Sequence, residues 1–201
     1  MRTYKSFSYA TIAVVLVLGL AACDSASTFE MADSSISQDA RHQQTNVSPL
    51  LAAARAATAA YHNEAAGVAA GWEADPYCIY HGFLGGMGIH YINGAYMGPP
   101  EALDVTKPQA LLYEPQKNGR KRLVGVEYIV PGGIVGPEGP APMLFGQHFH
   151  FNPNVGDDGI WALHVWLWRN NPAGMFADWN TNVTCEYADV AIDVTAPPPG
   201  P

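Results

Sequence analysis

Seven histidines are present, and six of them lie beyond Ser48. His148 and His150 form His-Phe-His at the end of Met143–Phe151, a run that reads as a strand. Two residues apart on a strand, they project from the same face. His164 lies inside Trp-Ala-Leu-His-Val-Trp-Leu-Trp, residues 161–168, which reads as the next strand. A hairpin centred near Gly156 would set His164 opposite His148 and diagonal to His150. Directly opposed Cβ atoms lie about 4.5–5.5 Å apart. Three imidazoles with an open fourth position suit catalytic zinc, and imidazole also suits copper and iron. His90, in Gly-Ile-His-Tyr-Ile, can supply a fourth ligand. Glu127 interrupts the apolar run Leu123–Val130, where it should share a face with Leu123, Gly125 and Ile129. A buried carboxylate there needs a partner: a metal, a protonated histidine or Arg169. The expected metal group is therefore His148, His150 and His164, with His90 and Glu127 beside them. The expected cofactor is a transition metal: zinc, copper or iron. The convergence rests on the hairpin register, since a slip of one residue turns a strand's side chains to the other face.

The elements that must position these groups can be read from periodicity and punctuation. Ser48-Pro49 is a plausible helix start, a capping residue followed by a proline tolerated in the first turn. The Ala-rich run to Trp72 follows, with Leu51, Ala54, Thr58, Tyr61, Ala65, Val68 and Trp72 on one narrow face. After Pro76 the pattern changes to short β-branched and aromatic runs. Strands are expected near Cys78–Tyr80, Gly88–Ile92, Ala110–Glu114, Leu123–Val130, Met143–Phe151, residues 161–168 and Cys185–Val194. Pro115-Gln-Lys-Asn-Gly119 reads as the turn of a hairpin. Gly85-Gly86-Met87-Gly88 reads as a tight turn, and Pro131–Pro142 as a long irregular loop of the kind that often forms a lid or binding loop. The expected fold is α+β: one N-terminal helix packed on a mostly antiparallel β-sheet or small barrel.

The chain has 201 residues, 48% hydrophobic and 14% charged, with 20 Gly, 16 Pro and a net charge of −8. That length suits one domain with attachments. The acidic balance argues against nucleic acid as a partner, which would need a positive face. No Gly-x-Ser-x-Gly occurs, and serine is scarce beyond residue 48, so a serine triad has no support. No general base, substrate pocket or oxyanion group is identifiable, and whether the protein is an enzyme stays open at this level.

Residues 1–22 carry Arg2 and Lys5, then an apolar run too short to span a bilayer, as in an export signal. Leu20-Ala21-Ala22-Cys23 resembles the lipobox of bacterial lipoproteins. That resemblance implies cleavage before Cys23, a diacylglyceryl thioether on its sulfur, and often an acyl chain such as palmitate on its amine. Two or three acyl chains anchor stably where one does not. Residues 23–47, polar and poor in large apolar groups, read as a flexible tether. Residues 48–195 read as one globular domain, and residues 196–201 as a disordered Pro-rich tail. With Cys23 lipidated, Cys78 and Cys185 remain as an even pair, which in an exported protein suggests a disulfide. Two buried thiols or a metal site using both are the alternatives.

The blocks Gly85–Tyr91 and Leu163–Asn180 are similar to blocks of exported bacterial proteins to which no activity is attached, so this second resemblance implies no function. The expected reading is a lipid-anchored lipoprotein of the bacterial cell envelope, facing the periplasm or exterior, binding a transition metal through a histidine cluster. The alternatives are a non-catalytic binding lipoprotein, taking an apolar or carbohydrate ligand at its Trp-rich surface, and a structural envelope protein.

Overall fold

The computed structural model describes residues 47–195. The Cys23 lipobox and the two terminal segments lie outside that range. The first helix, α1, occupies residues 47–58 and continues as a 3₁₀ turn at Ala59–His62. Ser48 is itself helical and so does not cap this helix. A second short helix, α2, covers Glu64–Ala69. Leu51, Ala54, Thr58 and Tyr61 face the core as their spacing requires. The tighter 3₁₀ turn and the extended Asn63 then shift the register. In α2 it is Gly67 that turns inward, while Val68 is exposed. A Cβ on Gly67 would lie 3.3 Å from both Leu111 and Tyr113, so the glycine allows this close approach.

Among the described residues nine strands follow: β1 Glu73–His81, β2 Gly85–Ile92, β3 Ala110–Pro115, β4 Lys121–Pro131, β5 Met143–Leu144, β6 Gln147–His148, β7 His150–Asn152, β8 Ile160–Val165 and β9 Ala191–Asp193. Seven form one curled sheet in the order β7-β8-β4-β3-β2-β1-β9. Every pair is antiparallel except β1–β9. The protein is thus α+β, a helical segment on a mostly antiparallel half-barrel. The Pro115–Gly119 turn joins β3 to β4, as its residues require. Cys185–Val194 is mostly irregular, with only β9 as strand.

Both faces of the sheet are covered. On the helix side lies the main core, with Trp72, Tyr91, Leu111, Tyr113, Val126, Tyr128, Leu163 and Val165. Burying these side chains supplies most of the driving force, at about 25 cal/mol per Å² of apolar surface. The loop Pro131–Pro142 is not free: Val135 and Ala141 pack on this core, and the Val135 carbonyl accepts a bond from Trp161 Nε1 at 2.9 Å. On the opposite face Leu112, Val124, Trp166 and Val183 form a smaller cluster.

A bulge in β4 divides the two clusters. Leu112 pairs with Gly125 and Tyr113 with Leu123, leaving Val124 as the extra residue. Leu123 therefore belongs to the main core, not to the face of Glu127 as simple alternation implied.

The second face is covered by the chain after β8. Trp166 donates its backbone N–H to Met175 and its indole N–H to Ala177, at 2.9 and 2.6 Å. Asn180 then bridges to Gly86, and Thr184 N donates to the buried Glu114 carboxylate at 3.1 Å. The Gly85-Gly86 pair is where this segment docks, since a Cβ on Gly85 would fall 2.2 Å from the Asn180 carbonyl oxygen. These glycines open β2 rather than forming the whole turn expected of them. Beyond them Cys185 is joined to Cys78 in a disulfide.

Candidate metal centre

Three side chains meet on the second face of the sheet. Glu127 on β4 is directly paired with His164 on β8. His90 comes from β2, with β3 running between it and Glu127. On β3, Ala110 pairs with Glu127 and Leu112 pairs with His90, so the two side chains approach each other diagonally across this strand. Each carboxylate oxygen of Glu127 faces one imidazole: Oε2 lies 3.5 Å from His90 Nε2, and Oε1 lies 3.6 Å from His164 Nε2. One donor atom from each of the three residues falls within a 4.8 Å span, so His90, Glu127 and His164 could together hold a metal ion.

The group is buried. The side chains of His164 and Glu127 are 3% and 5% exposed, and His90 is 14% exposed. Both ring nitrogens of His164 are buried without a hydrogen-bond partner. Such a group costs free energy unless something further engages it. The Trp166 ring lies nearly parallel to that of His164, with 6.2 Å between centroids.

The two histidines are driven apart in basicity. Burial holds His90 below its ordinary value, against the pull of Glu127. Burial also pushes His164 down, but Glu127 and Asp178 together outweigh it and the net shift is upward. At neutral pH, His90 is thus an uncharged donor ready for a metal. Because His164 is shifted upward, a metal at its Nε2 must compete with a proton more strongly than at an ordinary histidine.

Asp178 was not among the expected site residues. It lies in the segment covering the second face, with Oδ1 3.7 Å from His164 Nδ1. His150 Nδ1 lies 3.0 Å from both oxygens of the same carboxylate. Burial would raise Asp178, but His164 and His150 more than offset it, and the group stands below its ordinary value. A single aspartate in an irregular Gly/Asn-rich stretch carries no periodic signal, so only the folded chain reveals it.

His148 and His150 do not join the metal group. The hairpin register itself is as expected: His150 pairs with Ala162 and Asn152 with Ile160, centred on Gly156. The strand, however, stops at His150. Phe145 and Gly146 both have positive φ and turn the chain, making β5–β6 a separate hairpin in which His148 pairs with Met143. A bulky residue in that backbone region is uncommon. Burial of Phe145 against Tyr128 and Phe176 holds it there. His148 is left exposed on this hairpin. His150 shares a face with His164 but lies toward solvent, bound to Asp178. Arg169 does not reach Glu127 and donates instead to the Asn182 carbonyl.

Trp161 and Trp166 are buried, and Trp168 packs on His62. A cleft of about 810 Å³ lies elsewhere, between the end of α2 and the start of β1, with Glu73, Asp75, Asn93 and Tyr96 among its walls. Among the described residues no helix is long and apolar enough to cross a membrane. Comparison with protein-family models, curated proteins and solved structures finds no match.

Proposed function

We propose that this protein is a metal-binding lipoprotein of the bacterial cell envelope, with His90, Glu127 and His164 as its ligands. The observation that carries the reading is the buried convergence of two imidazoles and a carboxylate, with both nitrogens of His164 unpartnered. Two nitrogens and one oxygen make a donor set suited to zinc or iron(II), less so to calcium or magnesium, which favour all-oxygen shells. A site with three protein ligands leaves positions for water, whose pKa a bound zinc lowers toward neutrality. Envelope placement is supported by the lipobox-like Leu20–Cys23 and by the Cys78–Cys185 disulfide, a bond that persists in oxidising compartments. Anchoring is through lipid on Cys23.

The test is elemental analysis of untagged protein from the envelope fraction, as isolated and after exposure to zinc, copper and iron(II) salts. Near-stoichiometric metal, lost in Glu127→Gln and His164→Ala, is the expected result. Absence of metal under every condition would leave Glu127 and His164 as a structural ion pair. Replacing Cys23 with Ala should abolish palmitate incorporation. Palmitate incorporation that persists in this variant would overturn the lipid-anchor reading.

A further inference from the structure

Resting on the metal-binding reading, we infer that Asp178 is the positioning carboxylate of the site. From the segment that covers the sheet, it orients His164 so that Nε2 points to Glu127 and His90, and His150 holds Asp178 in place.

The two nitrogens of the His164 ring are divided between two carboxylates. Nε2 faces Glu127 and Nδ1 faces Asp178. Only the Nε2 side also has His90, so a metal belongs there and Nδ1 is left for an acceptor. Metal-bound histidines almost always donate their second N–H to such a group, which sets the tautomer and ring plane. Among the described residues no other acceptor reaches His164 Nδ1, and both ring nitrogens are buried. The 3.7 Å gap needs a closure of only about 0.7 Å to reach hydrogen-bond length.

The backbone around Asp178 is held on both sides. The Ala177 carbonyl accepts from the Trp166 indole at 2.6 Å, and the Trp179 carbonyl accepts from buried Asn171 at 2.8 Å. His150 then fixes the carboxylate rotamer through its paired oxygens. Asp178 and His150 are more exposed than the metal group, at 35% and 64% of their side chains, so core burial alone does not account for their alignment with His164.

The experiment is competitive titration of the full chain with Zn²⁺, and of its Co²⁺ form by visible absorption. Wild type is compared with Asp178→Asn, Asp178→Glu and His150→Ala. Asp178→Asn keeps the shape and removes the charge. It should weaken Zn²⁺ binding by about 10- to 100-fold and alter the Co²⁺ bands, with the metal-free unfolding midpoint unchanged. Asp178→Glu should recover part of the affinity, and His150→Ala should lose less than Asp178→Asn. If Asp178→Asn is destabilised without metal, His150→Ala, changed at an exposed side chain, carries the comparison. Metal binding by the wild type with unaltered affinity and Co²⁺ spectrum in Asp178→Asn and His150→Ala would overturn the role of Asp178 alone. No binding by the wild type would overturn the metal reading and this inference with it.

Discussion

Glu127 and His164 face each other across β4 and β8, with Oε1 3.6 Å from Nε2 and both side chains almost wholly buried. A carboxylate and an imidazole at this depth cannot both stay unpaired without a penalty of several kcal/mol. Two states satisfy them: a proton shared as an ion pair, or a metal ion that displaces the proton and recruits His90. The raised basicity of His164 belongs to the first state, and the open Nε2–Glu127–His90 arrangement permits the second.

Because metal and proton compete for His164, metal binding should be pH-dependent. His164 is held above the ordinary histidine value, so binding should weaken on acidification from a higher pH than an ordinary histidine would set. Zn²⁺ affinity measured from pH 8 down to 5 should fall steadily as protons compete for His164. A flat profile would rule out His164 as a ligand.

The small side chain of Ala110 is predicted to be a requirement of the site. It is fully buried and lies between the strands that carry His90 and Glu127. Ala110→Leu should cost about 1–3 kcal/mol by overpacking and should separate His90 from Glu127. Urea unfolding would read the first effect and Zn²⁺ titration the second. A variant that binds metal as the wild type does would show that His90 reaches Glu127 by another path.

The Cys78–Cys185 bond spans 107 residues and holds the covering segment to β1. Its replacement by Cys78→Ser with Cys185→Ser should cost about 2–5 kcal/mol. Thermal unfolding of the double variant checks the cost. Since the segment also carries Asp178, metal affinity should fall in the same protein.

Glu64 receives bonds from Lys121 and Tyr91 near the helix–sheet junction. Burial would raise its pKa, but these partners outweigh it, and the folded value lies below the ordinary one. A depressed carboxylate stabilises the fold above its unfolded pKa, and the contribution is lost as pH falls through the folded value. With the pair partly exposed, Glu64→Gln should cost only about 0.5–1 kcal/mol at pH 7. That difference should shrink steadily below about pH 4. Paired urea titrations at pH 7 and pH 3 would measure it, and a difference that grows in acid would contradict the assignment.

Local patterns were enough for much of the scaffold. The turn residues Pro115–Gly119 announced the β3–β4 hairpin, and the spacing of Leu51, Ala54, Thr58 and Tyr61 showed the buried face of α1. The register across Gly156 and the pairing of Cys78 with Cys185 could also be read. Each depends on neighbours in the chain, on turn chemistry, or on there being only two cysteines beyond Cys23. His90, Glu127 and His164 could be named as polar or titratable residues in apolar strands, but their meeting could not be derived. It required the order β2-β3-β4-β8, which is chosen by burying two faces of one sheet at once. The same burial sent Phe145 into the core, broke the expected strand and removed His148 from the site. It also folded the segment containing Asp178 over His164. Sequence by itself determined which residues were able to do chemistry and the periods of the elements carrying them. Only the tertiary structure decided which of those residues meet, because contacts between distant strands are set by the packing of the whole sheet rather than by spacing along the chain.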